Sequence, residues 1–470
     1  MRCFARLRLL RLLRLLTYLL LTYYLLYARD AFCVVWAPDL VARRRAAMQM
    51  QTDAVTGVRA LASLHVMCSH FSGPLFGLVL VGGAAIPVFF LVSGFVLTLG
   101  YGADSKKMDV ATFYLKRFAK LAPLYYIGNT MGFLLEEAHI ESRSLAAEDV
   151  PAQLLMTTFW LFSWRLPPLL DLPTAMPLFL TWTMSTIMGF YLLYPLVRHL
   201  LMPQRDEDQT RTAYALYVLS IAISVALEIA YRVFPMDGVD PLRPNPVAYS
   251  IMRAHPLCRV PVFAMGCCAA YESMRRRKLG NNAQSQLWLA GPLLGLWLFF
   301  VIMAIAISHT APRVVVSWVR PAVEILTPIL FYHLVVALCE PGSSCAIRFL
   351  RSRPLQFVGE VSFTIYLFHY EALRIVSTLV LTCTGCTPGT PWPFCAPGPG
   401  PCVTNFHCFG SREGAGSVPF WLKLVTWALS MVVAISAAWV LTHYVERPMT
   451  AALAARIKTF RSPSKMRELH

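Results

Sequence analysis

The chain has 470 residues, of which 57% are hydrophobic and only 14% charged, with a mean hydropathy of +0.55. A soluble domain of that size cannot hide so much apolar surface, so the composition excludes a water-soluble protein and implies an all-α, polytopic membrane bundle. The formal net charge of +17 does not signal nucleic-acid binding, because Lys and Arg fall in short clusters between apolar segments, as positive-inside loops do.

Residues 1–50 form a Leu-rich, low-complexity extension in which Arg2, Arg6, Arg8, Arg11 and Arg14 lead into an apolar run. A signal anchor, an organelle-targeting sequence and an extension with no role in the fold all fit it, so it is set outside the core. Arg43, Arg44 and Arg45 close it on the side expected to be cytoplasmic.

From residue 54 onward, ten apolar segments are long enough, or nearly so, to cross about 30 Å of hydrocarbon. They fall near 56–74, 80–100, 113–134, 179–200, 213–234, 258–272, 286–308, 315–338, 356–381 and 418–443. The sixth is short, and 152–164 reads as an interfacial or re-entrant piece. With the N-side inside, Lys106, Lys107, Arg198, Arg205, Arg275–Lys278, Arg348, Arg351, Arg353 and the tail cations Arg456, Lys458 and Arg461 all land inside. Glu136, Glu137, Glu141 and Glu148 collect in an outer loop, and counting 152–164 as a full crossing would turn every later basic loop outward. The membrane domain is therefore expected over 51–450, followed by a basic cytoplasmic tail over 451–470.

This topology turns the Pro/Gly-rich loop 382–416 outward, with Cys383, Cys386, Cys395, Cys402 and Cys408 in it. An oxidising exterior favours two disulfides and one spare thiol. A zinc site from Cys383, Cys386, Cys395, His407 and Cys408, or free thiols, are the other readings.

The residues that point to chemistry begin in GVRALASLHVMCSHF. Arg59 and His70 are eleven positions apart, about three helical turns, so both occupy one face roughly 16 Å apart along the axis. A cation at the mouth of a membrane helix and an imidazole deep within it mark a functional path. A packing histidine held by a neighbouring helix is the plainer reading. His65 lies about 140° around the helix from His70 and cannot share its site. In FYLKRFAKLAPLYY, Lys116, Arg117 and Lys120 stand within about a turn at the start of the third span. Headgroup anchoring explains them; so does an anion site, because Arg117 and Lys120 at i,i+3 point together on the same side as Arg59 and suit phosphates presented from the cytosol. Gly82, Gly83 and Gly94 flank Ser93 in the second span, where close helix approach explains the glycines. Glu324 is a buried acid for which a salt bridge to Arg320 one turn earlier is the plainer account.

These segments together resemble the acyltransferase 3 family of polytopic membrane O-acyltransferases that acetylate glycans. GVRALASLHVMCSH is similar to its first-helix Arg-x10-His motif, with Arg59 and His70 in the matching positions. FFLVSGF is similar to its second-helix signature, and Arg117 and Lys120 stand for its Arg-x-x-Arg. CRVPVFAMGCC, VGEVSFTIYLFHY and THYVERPMT follow in the family's order, so the resemblance covers about residues 50–450. One block departs. TWTMSTIMGFYLLYP keeps Trp182, Phe190, Tyr191, Tyr194 and Pro195 but has Ile187 and Met188 where a Glu is expected. Glu324 is the candidate to replace that carboxylate in space. An extra-membrane esterase-like domain found in some relatives is not expected here.

The resemblance implies transfer of an acetyl or other short acyl group from acyl-CoA to a hydroxyl, on a carbohydrate. His70 and Arg59 are the expected catalytic residues, His70 acting as general base or acyl carrier. Arg59, Arg117 and Lys120 are expected to hold the phosphates of acetyl-CoA, with Ser93, Trp182, Tyr191, Glu324 and His369 as substrate contacts. No metal, permanent cofactor or nucleic acid is expected; acyl-CoA, a hydroxyl acceptor and lipids are the partners, in a plasma or secretory-pathway membrane. A transporter of acyl or lipid-linked groups and a silent scaffold remain as alternatives from other classes.

Overall fold

The computed structural model describes residues 52–101, 108–137, 179–201, 206–233, 254–280, 285–383 and 419–460, and every regular element among them is helical. The N-terminal extension, the stretch 152–164, and the Cys-rich loop beyond Cys383 lie outside the described residues.

Helix α1 (Asp53–Phe76) opens with Asp53 in its first turn, which complements the helix dipole, and ends at Gly77 in the left-handed region (φ 65°, ψ 23°). A short 3₁₀ turn (Gly82–Ala85) leads into α2 (Ile86–Tyr101), and α3 (Val110–Glu137), α4 (Trp182–Leu201) and α5 (Asp206–Val233) follow. Then come α6 (Pro256–Leu279), α7 (Ala290–Thr310), α8 (Arg313–Leu338), the short α9 (Cys345–Leu350) and α10 (Arg353–Glu360), α11 (Ser362–Cys383), α12 (Phe420–Leu441) and α13 (Arg447–Phe460).

Ten of these helices have sixteen or more residues and stand where the ten apolar segments were expected. Five stretches are long and apolar enough to cross a membrane: Gly82–Tyr101, Thr210–Ile229, Leu287–Thr310, Pro321–Leu338 and Phe420–Ile457. The protein is thus an all-helical integral membrane protein. The other five long helices, α1, α3, α4, α6 and α11, carry the polar side chains: Arg59 and His70, Arg117 and Lys120, Ser185 and Thr186, Arg259 and Glu272, His369 and Glu371.

Three expected segments differ in outline. The short sixth one is a 24-residue helix, because its last turn (Arg276, Arg277, Lys278) is too charged to read as span. The ninth breaks at Val361. The break lets α10 lie against the start of α1, where a Cβ on Gly359 would run into the Thr56 carbonyl. The tenth continues through a π turn (Thr442–Glu446) into α13. Pro448 supplies the reason: it has no N–H to donate one turn back, and the helix widens just before it.

The core lies where α2 crosses α6. A Cβ on Gly94 would collide with the Phe263 carbonyl and one on Gly266 with the Leu91 carbonyl, so the two backbones touch through paired glycines. Around that crossing, Phe190 and Phe263 stack at 5.0 Å, and Phe90 meets Phe190 edge-on at 5.1 Å. The result is a rigid wall on which α1 and α4 rest.

Candidate active site

His70 stands near the end of α1 and faces α11. Its Nδ1 lies 2.7 Å from Nε2 of His369, with the rings nearly parallel at 19° and 5.0 Å apart. The geometry fixes the protons. His369 Nδ1 is 3.0 Å from the Ile365 carbonyl, which can only accept, so Nδ1 carries the hydrogen. A neutral His369 then has its lone pair on Nε2 and accepts from His70 Nδ1–H. That leaves the lone pair of a neutral His70 on Nε2, the arrangement a general base requires. His369 is completely buried, and Phe71, Tyr366 and Tyr370 pack around the pair. A low-dielectric wall of that kind strengthens the hydrogen bond and holds both rings in place.

At the other end of α1, three cations converge. Arg117 of α3 lies among three rings, with its guanidinium carbon 5.4 Å from the centroid of Tyr101, 5.9 Å from Phe113 and 5.9 Å from Tyr191. It donates to the Tyr101 hydroxyl at 3.3 Å and to Tyr191, yet its buried Nε has no partner. Lys120 is exposed, one turn on, and within electrostatic range of Arg59 and Arg117. Arg59 is within range of Tyr191 and of Glu446 from the π turn. Glu446 accepts from Thr364 Oγ1 at 3.4 Å, and its carboxylate lies within electrostatic range of Arg59 and Lys120. The cluster therefore keeps an excess of positive charge and an unused donor, which is what an anion site needs.

The other sequence-derived candidates fall outside these two groups. Ser93 lies one turn beyond Phe89, whose ring packs on Tyr366 at 5.6 Å. Trp182 is buried in the core, edge-on to Phe90. Glu324 pairs with Arg259 of α6 at 3.1 Å, while the side chain of Arg320 lies outside the described residues. Its carboxylate abuts Gly83, and the neighbouring Gly82 N–H donates to Ser69 beside His70. Ile187 is buried in the core and Met188 packs against it. His65 points elsewhere, bonded to the Leu80 carbonyl at 2.7 Å and packed on Trp297. Among the described residues no group of three His, Cys, Asp or Glu side chains gathers to hold a metal.

Sequence reasoning missed the cage of Tyr101 and Phe113 around Arg117 and the partnership of the two histidines. His369 carried a signal, because a polar ring in an apolar run of YLFHY needs a partner. Nothing in the sequence said that the partner is His70, 299 residues away.

Residues 52–443 match a family model described as an acyltransferase domain. The chain is 24% identical over 339 residues to the putative peptidoglycan O-acetyltransferase YrhL of Bacillus subtilis, covering 69% of this chain and 49% of that protein. It is 23% identical over 339 residues to the peptidoglycan O-acetyltransferase OatA of Listeria monocytogenes, covering 69% and 50%. A shorter match, 33% over 162 residues, links it to the acyltransferase MdmB of Streptomyces mycarofaciens, covering 31% and 39%. The chain thus spans about half the length, or less, of these curated relatives. No solved structure matches it.

Proposed function

The chain belongs to the acyltransferase 3 family, and from that premise we propose that it is a membrane-embedded O-acyltransferase moving an acetyl or other short acyl group from acyl-CoA to a hydroxyl of a glycan. The observation that carries this reading is the 2.7 Å His70–His369 contact on the same helix as the Arg59 cluster. It supplies a base with an assigned lone pair and, about three turns away, a cationic mouth.

In the reaction, His70 Nε2 takes the proton of the acceptor hydroxyl as its oxygen attacks the thioester carbonyl. The C–S bond breaks, an O-acyl ester forms, and the thiolate of CoA leaves with the proton held by His70. His369 is a positioning residue. It holds His70 in the tautomer with Nε2 unprotonated and remains neutral itself. Arg117, Lys120 and Arg59 bind the donor phosphates by charge-assisted hydrogen bonds. The two relatives named as peptidoglycan O-acetyltransferases support a cell-wall-type glycan as acceptor class. Ten spans over 51–450, with the Arg117 cluster at the cytosolic end, would bring a cytosolic donor and an exported acceptor to opposite ends of one path. A plasma or secretory-pathway membrane fits that arrangement.

The test is acyl transfer from radiolabelled acetyl-CoA in membranes carrying wild-type protein or His70→Ala. Label is expected on the glycan with wild type alone. CoA binding with no acylated product would turn the reading toward a transporter. A phenotype indifferent to both His70→Ala and Arg59→Gln would turn it toward a scaffold.

A further inference from the structure

A second basic site lies at the same end of the bundle as Arg117 and is separate from it. The C-terminal turn of α2 divides them: Tyr101 belongs to the Arg117 cage, while Leu99, two positions away and so on the opposite side of the helix, lines a cavity of about 1150 Å³. Its walls come from α2, the first turns of α5, the last turns of α6 and the end of α8. Arg211, Arg275, Arg276, Arg277 and Lys278 line it against one lining carboxylate, Glu272.

The site is built rather than merely charged. Glu272 grips Arg275 through two contacts of 2.9 Å and Arg276 through one of 2.6 Å, and Arg276 reaches Glu340 at 3.5 Å. Glu340 in turn accepts from Ser285 at 2.8 Å and from the Gln286 N–H at 2.7 Å, tying the α6 end to the segment before α7. The back wall is aromatic: Tyr217 and Tyr332 stack at 4.2 Å and 28°, with His333 edge-on to both. Those rings are closed on each other, so no slot is left between them for a planar base. The mouth is different. Tyr214 lines the cavity and is 68% exposed, and it heads an apolar stripe on α5 that continues through exposed Val218 and Leu219 to Ile223. A cationic chamber that opens onto a lipid-facing helix, with a tyrosine at the border, suits a ligand that has phosphate at one end and hydrocarbon at the other.

We propose that this cavity binds the phosphodiester headgroup of an anionic phospholipid, whose chains leave past Tyr214 along α5. The lipid would bridge α5, α6 and α8, which line the cavity together. Neither the acyl-transfer reading nor the Arg59 cluster is needed for this inference.

The test uses the full-length protein in phosphatidylcholine nanodiscs with and without phosphatidylglycerol, reading retained lipid by mass spectrometry and thermal unfolding during titration. Phosphatidylglycerol is expected to be retained and to raise the unfolding temperature, because it binds the folded state alone. Arg211→Gln/Arg277→Gln/Lys278→Gln should weaken its apparent Kd about a hundredfold, at roughly fivefold for each cation removed. Tyr214→Ala, which keeps every charge, should weaken it severalfold and serves if the triple variant does not fold. His70→Ala should bind the lipid as wild type does, whatever its activity. Equal retention by wild type, the triple variant and Tyr214→Ala would overturn the proposal. So would displacement of the lipid by adenosine 3′,5′-bisphosphate or inorganic phosphate at concentrations that saturate the cavity, which would make it a site for a soluble phosphate.

Discussion

The two ends of α1 are built on opposite principles. Around His70 the hydrogen-bond chain closes: carbonyl of Ile365, both nitrogens of His369, and Nδ1 of His70 account for one another in sequence. Around Arg59 it does not close. Arg117 keeps a buried Nε without a partner, and the π-turn carboxylate of Glu446 lies within range of Arg59 and Lys120. A closed chain fixes geometry and proton position, as chemistry demands; an open, over-charged cluster suits an anion, as binding demands. Substitutions at the first end should therefore act on turnover and those at the second on the donor's KM.

The largest effect is expected from His70→Ala, a loss of about 10²- to 10⁴-fold in kcat from removal of the general base. His369→Gln comes next. It exchanges the fixed imidazole acceptor for an amide that can turn either its oxygen or its N–H toward His70 Nδ1, so the tautomer is no longer held while Nε2 stays in place, and kcat should fall by roughly 10²-fold with the donor's KM unchanged. An unchanged unfolding temperature in the same membranes separates this from simple unfolding. A variant with wild-type kcat would break the comparison at its first end.

The sequence already disclosed most of this frame, for physical reasons. Hydrophobic runs report apolar surroundings directly, so the ten helices of sixteen or more residues among the described residues were legible. Arg59 and His70 were legible because charge within an apolar run is costly and helical spacing places both on one face. Pairings across helices were not. Spacing along one helix offers Glu324 only Arg320 at i,i+4, whereas the packing brings it Arg259 of a neighbouring helix at 3.1 Å. The length of α6 was hidden for a related reason: its last turn carries Arg276, Arg277 and Lys278 while remaining helical. The aromatic cage of Arg117 draws on α2, α3 and α4, and only their packing shows that the three rings surround one guanidinium.

At the binding end, Arg117→Gln should raise the donor's KM by roughly 10- to 100-fold, the worth of hydrogen bonds to a charged group, with kcat nearly unchanged. Arg117→Lys should not rescue it, because an ammonium cannot present the planar fork that stacks among Tyr101, Phe113 and Tyr191. If Lys restored the donor's KM in full, charge alone would be at work and the cage would be packing.

The smallest effect is expected at Lys120. Its side chain is exposed, so its interaction with a phosphate is screened by water and salt in a way that Arg117's is not. Lys120→Gln should raise the donor's KM only about two- to fivefold at low ionic strength. Steady-state kinetics at two salt concentrations read the difference: the Lys120 effect should shrink as salt rises, while the Arg117→Gln effect persists, because a half-buried guanidinium lies beyond the reach of the ion atmosphere. A salt-independent defect in Lys120→Gln as large as that of Arg117→Gln would mean that donor binding closes over Lys120, and that the open end of α1 becomes a sealed one when the donor arrives.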